Sequence, residues 1–273
     1  MDEVGDGLQV VDCQPNVHEY VSGHIPGAVY LNENVFRVHE GRVPTRWLRR
    51  KTAGSLLGQL GLDPRVPVVV YTGPGVLTGC AAYVGDGLEQ TMVAYSLLRY
   101  GCRRVRLLDG GLEAWTAAGG ETTRVSGKSR PSQFAARLRR DLYVTHREFV
   151  KRKDRDDVLV LDARPPETYA GQGVWPKPGH VPGAVNLPWK ALTDEGNRTR
   201  LRPAEECRAA VAKVGASPDK TIVCMCGTGR EATVEFLVLR YLLGFPDVRL
   251  YEGSYTEWTS DSENPTVVGP SPR

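Results

Sequence analysis

The chain repeats itself, and that repeat limits its fold more than any other feature. Gly23-His24-Ile25-Pro26-Gly27-Ala28-Val29 returns 156 residues later as Gly179-His180-Val181-Pro182-Gly183-Ala184-Val185, differing only in Ile for Val. Upstream of each copy lies a short apolar run ending in Asp, Gln9 to Asp12 and Val158 to Asp162. Such runs, β-branched and bounded by turn residues, read as buried strands.

The match continues downstream. Pro64 to Thr72 lies on Pro218 to Cys226, 154 residues on, each again a buried strand. A helical stretch follows in both, Glu89 to Tyr100 and Glu231 to Leu243, closed by Gly101 and Gly244 where a left-handed cap is wanted. Both copies then run into a strand, a turn and a tryptophan, Trp115 and Trp258. Strands alternating with helices over short connections predict an α/β fold, a mostly parallel sheet flanked by helices, made twice. The Gly/Ser/Pro-rich stretch through Gly119-Gly120 and Ser126 to Ser132 reads as the join, and a helix is expected from Thr145. The expected division is a first domain over 1–120, a linker over 121–140 and a second domain over 141–273.

At 273 residues the chain has roughly two-domain length. Its longest apolar run, Val66 to Tyr71, is broken by Pro67 and is far short of the roughly 20 residues that cross a bilayer. The acidic start, Met1 to Asp6, is unlike a secretory signal, so the cytoplasm is the expected compartment unless a signal was removed ahead of Met1. A net charge of +3 suits small anions better than nucleic acid, and the clusters Arg46–Lys51, Arg103–Arg106 and Lys151–Arg155 read as solvated surface. The six cysteines are scattered, with one close pair, Cys224 and Cys226, and no second pair at zinc-ligand spacing. A reduced environment and at least one chemical cysteine are expected, with no bound metal.

Ligands of open α/β sheets bind at the carboxyl ends of strands, and Cys226-Gly227-Thr228-Gly229-Arg230-Glu231 falls at such a place. Two glycines permit a tight curl whose backbone N–H groups form an anion-binding concavity. A cysteine at its edge is expected to have a stabilised thiolate, with Arg230 adding to the effect. The first copy carries Thr72 at the position of Cys226 and so lacks the nucleophile. It also holds 11 extra residues between Gly73 and Gly87, including Cys80, which reads as an incidental small apolar side chain.

The paired Asp…Gly-His-(Ile/Val)-Pro-Gly-Ala-Val signature, the Cys-Gly-Thr-Gly loop and the closing Tyr251 to Trp258 together resemble tandem rhodaneses, the thiosulfate and 3-mercaptopyruvate sulfurtransferases. The resemblance runs from about Leu8 to Asn264. It implies two rhodanese-like domains, the first catalytically silent, with Cys226 carrying sulfur as a persulfide and no cofactor. The implied partners are a small anionic sulfur donor and a cyanide or thiol acceptor, with no role for nucleic acid or membrane; the oligomeric state stays open. The loop residues Gly227, Thr228, Gly229, Arg230 and Glu231 would hold the persulfide's charge, and Arg164 would contact the donor's carboxylate unless it is tied up by a neighbouring acid such as Glu167. Lys177 is a weaker candidate, His24 and His180 read as turn-stabilising, and Trp175 and Trp189 read as core packing before site walls.

Three departures from the family bear on this. The loop's sixth residue, usually Ser or Thr, is Glu231, whose charge opposes an anionic donor unless it pairs with Arg230. The loop resembles the mercaptopyruvate type except for Arg230, so thiosulfate and mercaptopyruvate both stay open as donors. The strand and helix that normally precede the first Asp are nearly absent before Leu8, which implies an abbreviated first domain or a trimmed chain. A rival reading takes Cys224-x5-Arg230 as the phosphate cradle of a cysteine-dependent phosphatase or arsenate reductase. A third makes the chain a non-catalytic persulfide carrier.

Overall fold

The computed structural model of the chain describes residues 7–73, 85–127 and 129–273. Cys80 and most of the extra first-copy segment lie outside the described residues. The strands of the first half are β1 (Gln9–Asp12), β2 (Val29–Tyr30), β3 (Arg37–Glu40), β4 (Val43–Trp47), β5 (Val68–Tyr71) and β6 (Val105–Leu107). Those of the second half are β7 (Tyr143–Val144), β8 (Val158–Asp162), β9 (Val185–Asn186), β10 (Thr221–Met225) and β11 (Val248–Tyr251).

The described residues form two compact units. The first draws on Met1–Phe36, Leu48–Arg139 and Asp194–Leu201, and its sheet runs β2-β1-β5-β6 with every pair parallel. A strand buried on both faces cannot alternate, which is why β5 reads Val68-Val69-Val70-Tyr71. Asn16 caps the helix after β1 by accepting from the His18 and Glu19 amides.

The second unit draws on Arg37–Trp47, Arg140–Thr193 and Arg202–Arg273. Its sheet runs β7-β11-β10-β8-β9, again all parallel, which puts β10 in the centre with Val223 opposite Val160 on one side and Arg249 on the other. The two sheets realise the α/β fold expected from the repeat. Helix α1 of this unit (His146–Arg152) starts at Thr145 with a full capping box to Glu148. It presses Phe149 onto Tyr251, rings stacked at 4.2 Å, with Trp258 edge-on to Phe149.

The long second-copy helix departs from expectation. Helix α2 (Ala232–Leu237) is followed by a π-helical turn over Val238–Leu242, and Gly244 ends the run at φ +74°. Helix α3 (Ser254–Thr259) begins immediately after the β11 turn. The antiparallel hairpin β3–β4 has no counterpart in the repeat, and although it lies in the first copy along the chain it belongs to the second unit.

Candidate functional site

Strand β10 delivers Cys226 to the carboxyl edge of the central strand, and the loop curls so that the Gly229 amide donates to Cys226 Sγ at 3.1 Å. The amides of Thr228 and Ala232 also favour the charged form of this sulfur. Gly229 holds φ +82°, a left-handed conformation that a side chain would strain. A Cβ on Gly227 would sit 2.3 Å from the Trp175 ring.

The loop is fastened by the start of α3, which sequence reasoning quoted as a signature without assigning it a task. Ser254 Oγ accepts from the Cys226 amide at 3.2 Å, and the Tyr255 amide donates to the Cys226 carbonyl at 2.9 Å. Thr256 donates to the Gly227 carbonyl through both its amide, at 2.9 Å, and its hydroxyl, at 2.8 Å. Trp175 Nε1 closes the network on Thr256 Oγ1 at 3.1 Å. Trp175 therefore walls the loop, whereas Trp189 is buried in the core. Ser254 is the non-glycine residue with positive φ, +50°, among the described residues, and that strained turn is what aims its hydroxyl at the cysteine.

Electrostatically the site differs from expectation. Cys226 is fully buried, and burial, reinforced by the nearby Glu231 carboxylate, pushes its thiol up to about 12 against the lowering effect of the loop amides. The stabilised thiolate expected from the amides and Arg230 is outweighed by desolvation, which no residue type or spacing along the chain discloses. Glu231 closes the loop immediately before α2, and its charge acts on Cys226 by opposing ionisation of the thiol. Burial, then the charge of Asp162, raise Glu231 to about 7, while Cys226, Arg164 and Arg230 pull the other way.

Arg164 is corrected in part. It is buried and bound to Asp162, not Glu167, with Nη2 to Oδ2 at 2.6 Å and Nε to Oδ1 at 2.9 Å, and Nη2 also donates to the Gly179 carbonyl at 3.0 Å. Its guanidinium lies 4.0 Å from the Tyr255 ring centroid and 5.3 Å from that of Trp175. Only Nη1 is left without a hydrogen-bond partner, so one donor, not a fork, remains for an anion. Arg164, Trp175, Lys177 and Tyr255 close around a crevice too tight to admit a water molecule.

Lys177, the weaker candidate, donates to the carbonyls of Ser262 and Asn264, the latter at 2.6 Å, and so tethers the segment after α3. His24 and His180 both act in their turns. Each donates its Nδ1–H to a carbonyl, that of Tyr20 at 2.7 Å and that of Tyr169 at 3.0 Å, and each stacks on that same tyrosine. Cys224 lies inside β10, fully buried, its thiol held well above the ordinary range by desolvation and the facing Glu235.

The hairpin supplies residues that the sequence reading missed altogether. Arg37 Nη1 donates to the Thr228 carbonyl at 2.6 Å and stacks on Trp47 at 4.5 Å, while Trp47 packs on Gly229. Arg46 pairs with Glu257 of α3 at 2.6 Å. Arg46 had been read as solvated surface, and no motif or repeat marked the hairpin; only the folded chain brings it to the loop.

A model of the rhodanese-like domain matches residues 2–118 and again residues 145–261. The chain belongs to the rhodanese family. This rhodanese is 33% identical over 271 residues to a protein of Synechococcus elongatus provisionally assigned as a thiosulfate sulfurtransferase, covering 96% of this chain and 81% of that one. It is 31% identical to the thiosulfate sulfurtransferase of Azotobacter vinelandii, covering 91% and 87%. The crystal structure of the 3-mercaptopyruvate sulfurtransferase SseA of Escherichia coli superposes with a TM-score of 0.79 at 26% identity, covering 92% of this rhodanese and 93% of that chain.

Proposed function

We propose that this rhodanese is a sulfurtransferase that moves a sulfane sulfur from thiosulfate or 3-mercaptopyruvate, through a persulfide on Cys226, to cyanide or a thiol. The observation that carries the reading is the cradle itself: the Gly229 amide donates to one buried sulfur at a strand end, and the Thr228 and Ala232 amides also favour its charged form, a preorganised site for sulfur-centred negative charge. In the first half-reaction Cys226 sulfur attacks the outer sulfur of thiosulfate; an S–S bond forms and sulfite leaves with the electron pair of the broken bond. With 3-mercaptopyruvate a C–S bond breaks instead, and the departing carbon takes up a proton to give pyruvate. The acceptor then attacks the outer sulfur and releases the Cys226 thiolate.

Arg164 Nη1, buried beside Trp175 and Tyr255 without a hydrogen-bond partner, is the one donor it has left for the anionic part of the sulfur donor, which reaches it when the enclosing side chains part. The first copy, within residues 1–120, is the silent half. Thr72 follows β5 as Cys226 follows β10, and its hydroxyl spends its reach on the Cys13 carbonyl at 3.4 Å. Gln14, two residues beyond Asp12, holds that carboxylate where Arg164 holds Asp162, so the cation is missing as well. Residues 121–140 join the silent copy to the catalytic copy, 141–273, in chain order, although as far as Arg139 they pack with the first unit, as Asp194–Leu201 also does.

The Cys224-x5-Arg230 reading is disfavoured because Cys224 sits within the strand against Glu235, with no loop amide directed at it. The test is thiocyanate formation from each donor plus cyanide by wild type, Cys226→Ser and Cys224→Ser. Loss in Cys226→Ser and retention in Cys224→Ser are expected; the reverse pattern overturns the assignment. A +32 Da adduct on Cys226 without turnover would make the protein a carrier instead.

A further inference from the structure

Basic residues that lie far apart in the sequence meet on one face of the first unit. Arg50 and Lys51, at the start of the helix Arg50–Gln59, line a cavity of about 670 Å³ together with Arg137. Arg103 and Arg104 line a second cavity, of about 810 Å³, with the same Arg137. Arg103, Arg137 and Arg139 line a third, of about 500 Å³. Because neighbouring cavities share lining residues, the three form one continuous groove. Seven cationic side chains line it against a single acid, Asp63, which Arg65 already holds at 2.6 Å. The whole chain carries a net charge of only +3, so the groove concentrates positive charge that the rest of the chain does not share.

The backbone that carries these side chains is pinned. In the segment from Ser132 to Arg139, the Ser132 amide donates to the Gly58 carbonyl at 2.8 Å, the Arg137 amide to the Tyr100 carbonyl at 2.8 Å and the Arg139 amide to the Arg99 carbonyl at 3.0 Å. Phe134 anchors it as a buried side chain. It lies so close to the helix that a Cβ on Gly54 or Gly58 would meet its carbonyl oxygens at 2.9 and 2.7 Å. Two features of this groove do nothing for the fold itself. Arg103 and Arg137 are exposed, and their guanidinium groups have no hydrogen-bond or ion-pair partner among the described residues. The helix Arg50–Gln59 has no side-chain cap and no acid in its first turn, where Arg50 and Lys51 instead stand against the positive end of its dipole. Like charges gathered in this way repel one another, and an anion that settles among them relieves the repulsion.

We propose that this groove docks an acidic segment of a partner protein, whose carboxylates pair with Arg103, Arg137 and the cations at the start of the helix. The inference goes beyond sulfur transfer and does not depend on it. Size excludes a lone small anion, since cavities of 500 to 810 Å³ joined end to end fit a chain that carries several charges. All but one of the lining cations are arginines, whose planar fork matches a carboxylate with two parallel bonds. Single-stranded nucleic acid fits less well, because it needs exposed rings on which bases stack, and the one aromatic residue lining the groove, Phe134, is buried.

The test titrates the full chain into a fluorescein-labelled, glutamate-rich peptide of about 12 residues at about 50 mM salt and reads anisotropy. A version of the peptide with serine for glutamate and a labelled oligothymidylate of similar length serve as comparisons. Binding of the glutamate peptide alone is expected. The pair Arg103→Glu and Arg137→Glu is expected to weaken it about 100-fold, roughly tenfold for each reversed charge. The milder pair Arg103→Gln and Arg137→Gln is expected to weaken it about tenfold, which guards against a charge-reversed variant that misfolds. Arg147→Glu with Lys151→Glu, exposed on α1 of the second unit, makes the same change in net charge away from the groove and is expected to leave binding within about twofold. Failure of the wild type to bind the glutamate peptide overturns the proposal. So does equal weakening by the two charge-reversed pairs, which would make the attraction one of net charge alone. Oligothymidylate held as tightly as the peptide, and released by Arg103→Glu with Arg137→Glu, would also overturn it in favour of nucleic acid.

Discussion

The Arg37 guanidinium donates to the carbonyl oxygen of Thr228 at 2.6 Å, joining residues 191 positions apart in the sequence. Because Thr228 also turns its amide to Cys226 sulfur, the arginine fixes the far side of a peptide unit adjacent to the cradle. A charge-assisted bond of this kind contributes on the order of 1.5 to 3 kcal/mol. Arg37→Ala is therefore expected to lower the urea midpoint by on the order of 1 M and kcat/KM about tenfold or more in the thiocyanate assay. Unchanged kinetics would show that the loop holds its shape without the hairpin.

Gly227 has no room for a side chain. A methyl group there meets the Trp175 ring, itself anchored on Thr256, so Gly227→Ala must displace either the loop or the indole. Overpacking costs about 1 to 3 kcal/mol. Loss of activity is expected in Gly227→Ala, with partial recovery when Trp175→Leu is added; failure of the second change to restore any activity would place the strain elsewhere.

Asp162 and Arg164 form a buried pair with almost no exposure on either side. Removing one partner leaves the other charge uncompensated, at roughly 3 to 5 kcal/mol. Asp162→Ala is expected to lose stability on that scale in urea unfolding, far more than Asp12→Ala, whose partners Gln14 and Tyr71 are neutral.

Stability should depend on pH through Glu231. Its folded carboxyl titrates near 7 against about 4.5 unfolded, so the folded state binds the proton more tightly. Its contribution is fully present below pH 4.5 and is lost as pH rises through 7, on the order of 2 kcal/mol after allowing for partial solvent screening. The stability difference between wild type and Glu231→Gln is expected to fall across that window when measured by denaturant unfolding at pH 4.5, 6 and 8. A difference that does not vary would mean that Glu231 is not perturbed.

Thr145 and Glu148 close a reciprocal capping box at the first turn of the second unit's opening helix. Thr145→Ala is expected to cost about 1 kcal/mol and leave thiocyanate formation intact, which a thermal melt beside the activity assay would check.

The strands were legible because a buried parallel strand has to be a short unbroken apolar run, and β1 and β8 fall where Gln9 to Asp12 and Val158 to Asp162 placed them. The start of the second-copy helical domain was legible for a local reason too, since a capping residue acts within its own turn. The π-helical turn after Leu237 was not, because its hydrogen bonds reflect how α2 packs rather than any residue's preference.

By itself the sequence determined the repeat, the two parallel sheets and the place of Cys226 at a strand end opposite Thr72, because each follows from periodicity or alignment along the chain. Only the tertiary structure decided the chemical setting of that cysteine. The burial that raises its thiol, the grip of Asp162 on Arg164, the charge of Glu231 near the sulfur and the Arg37 clamp all depend on which side chains exclude water together. Desolvation and charge pairing act through space, so neither residue type nor spacing along the chain could have set their balance.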